Sequence, residues 1–457
     1  MVELLKASHE VKREVIGNGA PEENSSVMLD VERYISPSFA DKEWQAVFAK
    51  TWQFACRVDH VANPGDFYIL ELGRESIIVS HGADGAIRAF FNVCRHRNNM
   101  LVRNKRSGNA ASFSCSYHMW EWKNTGDLKK IPDRETFPGL PDDCALKLNE
   151  LKCDSWGGFV FVCMDPKAPP LLEFLHPLPA MLDRYEPERM TVMQDMTVEW
   201  DCNWKVGVDA FNETYHVAAT HPQLLSVIDD YNVRIECYER HSFFAVPYGV
   251  PSPRLGDRNR IPKLLAQYMD PREAVLDGTG KAAGSDDELL SACAVDPSEF
   301  KGTADDVRKA VQLKKREQQD QFPFLPYRNL SDAELTDDLH VMCFPNTQFN
   351  VFAENFLIFR HRPHPDDVNK SFYDVIYLSH VPEGKKPPLP EYTFSKASET
   401  DLGLALNQDA SNVWSVQRGM QSQSTDGVYL SELEARIRHF HKVLDRHMAE
   451  ALHSGGK

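Results

Sequence analysis

Two short segments each pair one cysteine with one histidine, and between them they limit what this chain can fold into. The first reads Phe91-Asn92-Val93-Cys94-Arg95-His96-Arg97 and the second Cys115-Ser116-Tyr117-His118-Met119-Trp120, with eighteen residues between His96 and Cys115. A thiolate and an imidazole two or three residues apart are metal ligands in waiting, so the fold must bring two such loops to one place. A Cys2His2 set can bind zinc, but zinc fingers usually present both cysteines first and both histidines later. Here the order is Cys, His, Cys, His. That order suits a two-iron cluster in which both thiolates hold one iron and both imidazoles the other.

The remaining cysteines ask for less. All ten, at 56, 94, 115, 144, 153, 163, 202, 237, 293 and 343, are scattered through 457 residues behind no secretory signal, which argues against a disulfide framework. The eight outside the two loops are expected to be reduced core thiols. The chain carries 51 basic and 67 acidic residues, a net charge of −16, which makes it a poor binder of phosphate backbones. That acidic surplus could serve as a docking surface for a basic redox partner. No apolar run approaches the roughly 18 residues of a membrane span, so a cytoplasmic protein is expected. No Gly-x-Gly-x-x-Gly or Walker loop is present, so neither NAD nor ATP is expected to bind by a familiar loop.

The two loops lie in β-rich surroundings. Runs such as Phe67-Tyr68-Ile69-Leu70, Ile77-Ile78-Val79 and Phe159-Val160-Phe161-Val162 alternate with Gly, Asn, Asp and Pro turns, the pattern of an all-β module over about 41–165. Residues 1–40 are polar and without periodicity, an N-terminal arm packing on the second domain. A Pro-rich link from Ala168 to Pro179 then introduces an α+β domain over 166–457, read as an antiparallel sheet surrounded by helices. Within it 270–325 reads as an exposed insertion, a lid or a subunit contact. There Thr303 can cap a helix running through Asp305, Val307, Val311 and Leu313 to Lys314-Lys315-Arg316-Glu317. Leu430, Leu433, Ile437, Phe440 and Leu444 recur at helical spacing near the end, where His439, His441 and His447 read as surface residues. His241, His340, His361, His364 and His380 have no ligand-spaced partner, though any could line a pocket. Phe349–Phe352 and Phe356–Phe359 read as core strands.

A second constellation stands in the α+β domain, from Asn203 to Pro222. On one helix Asp209, Glu213 and His216 would share a face at i, i+4 and i+7. His221 would not, since five residues put it about 140° from His216 on a straight helix. If both histidines bind one metal, the helix must bulge or end between them, and Pro222 makes an end there plausible. Two histidines need one carboxylate to complete the facial triad of a non-haem Fe(II) oxygenase. Glu213 could be that ligand, or an ion-pair partner.

The first constellation resembles the Rieske [2Fe–2S] domain of the non-haem-iron oxygenases, with an aromatic shell of Trp120, Trp122 and Trp156-Gly157-Gly158-Phe159. Asn98 and Met119 stand where that family commonly has glycine, which touches loop geometry but no ligand. The second constellation resembles the catalytic iron motif of the same oxygenases, so the likeness covers the chain from about residue 40. It implies that Cys94, His96, Cys115 and His118 hold the cluster. It implies mononuclear iron on His216, His221 and a distant aspartate before a Gln-Arg-Gly element, here Asp409 ahead of Gln417-Arg418-Gly419. Glu213 would link His216 to His118 of a neighbouring subunit and relay an electron, with Asp209 as the fallback for that role.

By that resemblance the protein is the terminal oxygenase α subunit. It would hydroxylate or dihydroxylate a hydrophobic aromatic or polycyclic substrate with O₂ and electrons from a separate NADH-dependent reductase, with or without a ferredoxin. The runner-up is a demethylating or quaternary-amine monooxygenase. The relay implies a ring of subunits, most simply a homotrimer, with or without a small β subunit. An electron-transfer or redox-sensing iron–sulfur protein would need only the first constellation, and leaves the second unexplained.

Overall fold

The computed structural model describes residues 15–17, 28–257, 259–270 and 287–454, which form two compact units. The smaller spans Glu43–Pro179. The Pro-rich stretch therefore closes this unit rather than opening the next, because Trp52 Nε1 donates to the carbonyl of Pro169 and Lys152 Nζ to that of Ala168. Seven of its strands form one antiparallel sheet in the order Gln53–Arg57, Phe159–Cys163, Glu150–Trp156, Ile87–Phe91, Glu75–His81, Asp66–Leu72, Ser107–Asn109. A three-stranded sheet, Ser112–Ser114, Glu121–Lys123 and Leu128–Lys130, carries the second Cys/His loop between its first two strands. Both thiols lie in one core with Phe67, Ile78, Phe90, Phe113, Trp120 and Trp122.

The larger unit contains residues 28–42 and the chain from 180 onward. Its nine-stranded sheet is antiparallel except at its two edges, where the pairing is parallel. Five consecutive strands matter for function: Ser242–Pro247, Asp337–Cys343, Thr347–Val351, Asn355–Pro363 and Ser371–Ser379. Cross-strand register sets Phe244, His340, Asn350, Leu357 and Tyr377 in one row. The alternate row, Phe243, Val341, Phe349, Ile358 and Ile376, is buried on the other face. The period-2 alternation of strands thus divides each segment between a core face and a cavity face. Of the two aromatic-rich runs expected to be core, Phe349, Val351, Phe356, Ile358 and Phe359 are buried, while Phe352 and Leu357 are only partly so.

Helices Trp204–Ala210 and Leu404–Met420 cover this sheet. Asn203 caps the first, its Oδ1 accepting from the amide of Lys205 at 3.0 Å. Gln417 of the second ties the two together: its Oε1 accepts from the amide of Asn203, while its Nε2 donates to Asn369 and to the carbonyl of Tyr34. Residues 28–42 of the segment expected to be a polar arm belong to the larger unit. Tyr34 is fully buried in the helix Glu32–Ile35, and its hydroxyl donates to Asp209 at 2.7 Å. Residues 1–14 and 18–27 of that arm lie outside the described residues.

Two further expectations change. The 270–325 segment is not simply an exposed insertion. Thr303 and Asp306 make a capping box, the helix Val307–Gln318 follows, and Ala304, Val307 and Val311 are buried. Residues 271–286 of the segment lie outside the described residues. Of the three histidines of the last helix, Ala435–Ser454, His439 and His441 are buried and His447 is half-buried. His439 bonds the carbonyl of Tyr238 at 2.6 Å, His441 bonds Tyr34 and Asp209, and His447 stacks on Phe344. An imidazole with a fixed partner fits a helix's buried face as well as an aliphatic one does, so the apolar period underestimated that face. Of the eight cysteines expected in the core, Cys144 is exposed and Cys153 only partly covered. Among the described residues no helix is long and apolar enough to cross a membrane.

Candidate metal centres

The two Cys/His loops are built alike. In each, the cysteine amide bonds a carbonyl five residues on (Cys94 to Asn99, Cys115 to Trp120), and its carbonyl accepts from the residue four on, Asn98 or Met119. Both of those residues are left-handed, at φ 59° and 60°, a conformation that favours glycine. Asparagine adopts that conformation with little difficulty, but Met119 carries a cost of roughly 1–2 kcal/mol. The turn's hydrogen bonds hold it there.

These turns aim four donors inward. The two thiols lie within hydrogen-bond reach of each other, and the rings of His96 and His118 are 4.6 Å apart. Both histidine Nδ1 atoms are buried without a partner. Two sealed, unsatisfied ring nitrogens are what a bound metal would satisfy. The four donors do not converge on one point. Among the described residues, the one group of three or more His, Cys, Asp or Glu gathered within 4.8 Å is elsewhere. A tetrahedral zinc site would gather all four. Paired thiols and paired imidazoles fit a two-iron cluster instead. Burial raises the pKa of Cys94. For Cys115 burial also raises it, but the amides of Tyr117 and His118 and the Asn99 side chain outweigh that and lower it. Trp120 stacks on His96 at 4.9 Å, and Trp122 lies in the same core. Trp156 and Phe159 do not complete this shell. They pack on each other, and Arg57 lies over the Phe159 ring.

In the larger unit the expected single helix across Asp209, Glu213 and His216 does not exist. It stops at Ala210, because buried Asn212 bonds Gln348 and Thr214 Oγ1 donates to the carbonyl of Asp230. Side-chain bonds of this kind compete with the helical ladder. A second helix of four residues, Val217–Thr220, has His216 at its N-cap and His221 at its C-cap. The break removes the 140° problem and turns both rings towards Asp409. His221 Nε2 is 2.8 Å and His216 Nε2 3.6 Å from Asp409 Oδ1, and one ligand atom from each residue falls within 4.8 Å of the others.

Each ring is fixed through its other nitrogen. His216 Nδ1 meets Glu213 Oε1 at 2.6 Å, and Glu213 Oε2 accepts from the His216 amide at 3.0 Å. His221 Nδ1 meets Gln408 Oε1 at 2.8 Å, and Gln223 Nε2 holds the same oxygen at 2.8 Å. Both Nε2 lone pairs are thereby turned to the common point, the usual way a protein orients metal-binding imidazoles. Burial lowers the pKa of His216, but Glu213 and then Asp409 outweigh it and the net shift is upward. The same carboxylates favour a cation between the rings. Two imidazoles and one carboxylate on one side, with the other side open to a cavity, suit non-haem Fe(II).

Asp209, the fallback for the relay, stands apart from this group. Its carboxylate accepts from Tyr34 and lies 3.2 Å from His441 Nε2, which ties the last helix to the domain. Gln408 and Gln223 were missed in the sequence. The signal was thin: Gln408 directly precedes Asp409 and Gln223 follows His221 by two, but no spacing rule selects either.

The cavity beside His216, His221 and Asp409 has a volume of about 430 Å³. Its walls come from the cavity face of the sheet, including Leu357, Phe359 and Tyr377, from Leu224 and Ile228, and from the 289–335 segment through Leu289, Val311 and Leu325. His340 and His380 line it too.

A two-iron site of paired cysteines and histidines, with a separate two-histidine, one-carboxylate site, defines the class of Rieske non-haem-iron proteins. Comparison with known proteins agrees. Residues 51–145 match the Rieske [2Fe-2S] domain and residues 187–450 the ring-hydroxylating alpha subunit, catalytic domain. The chain belongs to the ring-hydroxylating alpha-subunit family, and its domains take a [2Fe–2S] cluster and a mononuclear non-haem iron. It is 33% identical over 189 residues to the large oxygenase component of the 2,4-dinitrotoluene dioxygenase system of Burkholderia sp. (strain RASC). It is 35% identical over 190 residues to that of the naphthalene 1,2-dioxygenase system of Pseudomonas putida. Each alignment covers 40% of this chain and 42% of the relative, so less than half of either relative's length is matched. In fold it is similar to a quaternary ammonium Rieske monooxygenase, at TM-score 0.66, 18% identity and coverage of 96% of this chain and 99% of that one. Naphthalene 1,2-dioxygenase from Rhodococcus sp. is comparable, at TM-score 0.64, 18% identity and coverage of 93% and 95%.

Proposed function

We propose that this chain is the terminal oxygenase component of a multicomponent system, which hydroxylates or dihydroxylates a hydrophobic aromatic or polycyclic substrate. One observation carries the reading: His216, His221 and Asp409 form part of the wall of an otherwise largely apolar cavity of about 430 Å³. That size is ordinary for a small-molecule site, roughly 300–1,000 Å³. When bound, the mononuclear iron supplies O₂ activation with electrons arriving through the Rieske cluster. The chain's own residues do the rest. Glu213 and Gln408 orient the two ligand rings, the cavity face of the sheet positions the substrate, and the apolar walls keep water away.

Electrons would come from a separate NADH-dependent reductase, with or without a ferredoxin. Glu213, with both oxygens on His216, is the residue we assign to electron relay from His118 of a neighbouring subunit in a homotrimer. A small β subunit is compatible with this assembly. The test is product analysis with purified chain, reductase, NADH and ¹⁸O₂ against aromatic, steroid and methylammonium panels. Labelled oxygen in an aromatic or polycyclic product is expected. Turnover confined to methylammonium compounds, or none with any partner reductase while both metal sites are filled, would overturn the proposal.

A further inference from the structure

The cavity's polar groups are unevenly built. Most of the lining is apolar, yet Lys315, Glu354 and Tyr327 meet on it. Lys315 Nζ lies 2.6 Å from Glu354 Oε1 and donates to the carbonyl of Leu335 at 2.8 Å, while Tyr327 donates to the same Glu354 oxygen at 2.5 Å. Lys315 comes from the helix Val307–Gln318, and Glu354 from the turn between strands Thr347–Val351 and Asn355–Pro363. None of the three metal ligands stands on these elements. The Lys315 and Glu354 side chains keep 15% and 21% exposure, so they are neither sealed nor free in solvent. An ammonium has three N–H groups, two of them used here, and Glu354 keeps its Oε2. The cluster therefore offers one donor and one acceptor side by side.

Its charge is balanced, and so is that of the remaining lining. Glu213 and Asp409 stand at the metal centre, where both carboxylates face the site of its cation. Asp338 is pushed by burial up to about 8, which leaves it largely protonated at neutral pH. Burial, with Arg436 beside it, drives His340 far down, so it is neutral as well. Arg436 Nη1 can only donate to His340 Nδ1, at 3.1 Å, which fixes the remaining ring proton on Nε2. Away from the metal centre, a carboxylate substrate would find no unpaired cation on this wall, and a quaternary ammonium no unpaired carboxylate. Taking either ion out of water without a partner costs several kcal/mol.

We propose that the substrate is electrically neutral, with an apolar body and one hydroxyl oxygen held by the Lys315–Glu354–Tyr327 cluster on a part of the cavity wall built apart from the metal ligands. Such a hydroxyl accepts from Lys315 and donates to Glu354 Oε2. The inference rests on the cavity being the substrate site, as proposed above, and it deepens that reading.

The test uses binding rather than turnover, so its failure is distinguishable from failure of the oxygenase reading. Naphthalene, 2-naphthol, 2-naphthoate and a naphthyl-trimethylammonium salt would be titrated calorimetrically into the anaerobic holoprotein. The wild type should bind 2-naphthol at least tenfold tighter than either ion and several-fold tighter than naphthalene. Glu354→Gln leaves Lys315 uncompensated, so 2-naphthoate should gain tenfold or more relative to 2-naphthol. Lys315→Met leaves Glu354 uncompensated, so the ammonium probe should gain instead. A folding defect would weaken all four probes together and cannot produce these opposite crossovers. Equal affinity for 2-naphthol and either ion in the wild type, or variants that shift all probes alike, would overturn the proposal. Tight 2-naphthol binding without any oxygenated product would overturn the oxygenase reading and leave this one standing.

Discussion

Gln408 touches no metal, yet the structure gives it control of His221. Its Oε1 receives His221 Nδ1 at 2.8 Å and is itself steadied by Gln223 Nε2. An oxygen there keeps the ring proton on Nδ1 and leaves Nε2 as a lone pair facing Asp409 Oδ1, 2.8 Å away. In Gln408→Leu the acceptor is gone. The proton is then more stable on Nε2, bonded to the Asp409 carboxylate, so His221 must change tautomer before it can ligate. The lost bond is worth about 1 kcal/mol for a neutral pair, and somewhat more once the ring carries part of a cation's charge. Loss of such an outer partner weakens metal binding about 10–100-fold, or roughly 1.4–2.8 kcal/mol. His221 and Asp409 are only 4% and 5% exposed, so water is poorly placed to substitute. The assay is competition of the mononuclear iron against a chelator, with the Rieske spectrum as internal control. Gln408→Leu should release iron at least tenfold more readily, and Gln408→Glu, which restores an acceptor, should recover most of the affinity. Equal retention in Gln408→Leu and wild type would refute the tautomer argument.

Other outcomes follow from the same geometry. Asp409→Ala should abolish mononuclear iron binding and turnover and leave the cluster spectrum intact; surviving activity would show that another carboxylate serves. Glu213→Gln should keep the iron, since an amide oxygen still accepts from His216, but slow re-oxidation of the reduced cluster by at least tenfold in single-turnover mixing. Met119→Gly, which removes a left-handed side chain, should raise stability by up to about 1 kcal/mol in denaturant titration, whereas Met119→Val should lower it by more than that. Burial holds the pKa of His447 at about 4, below its ordinary 6.5. Its neutral form is therefore favoured by folding, and its contribution is present above pH 6.5 and lost as pH falls towards 4. His447→Phe, which keeps the stack on Phe344, should flatten the decline of the denaturation midpoint over that window.

What the sequence disclosed and what it withheld divide along physical lines. The pairing of Cys94 with His96 and of Cys115 with His118 was legible because ligand chemistry is local, and the structure brings the two loops together. The β character of 41–165 was legible from alternation and turns. The break after Ala210 was not, because Asn212 and Thr214 leave the helix for partners at Gln348 and Asp230, more than a dozen residues away. The role of Gln408 was hidden for the same reason, since its partner His221 lies 187 residues distant. His439 and His441 of the last helix were misread because polarity alone does not reveal a hydrogen-bond partner, and His447 because it does not reveal a ring stack. The cavity lining from 289–335 looked like surface because Lys315 and its neighbours read as a charged string. Their neutralisation by Glu354 is a fact of tertiary packing.

The central claim is that one chain holds two chemically different iron sites. Metal analysis of the purified chain, joined to electron paramagnetic resonance before and after reduction, tests it most directly. About three irons per chain are expected, two in a cluster with the spectrum of mixed histidine and cysteine ligation and one that Asp409→Ala removes. Two irons unaffected by that substitution, or zinc in place of iron, would contradict the account.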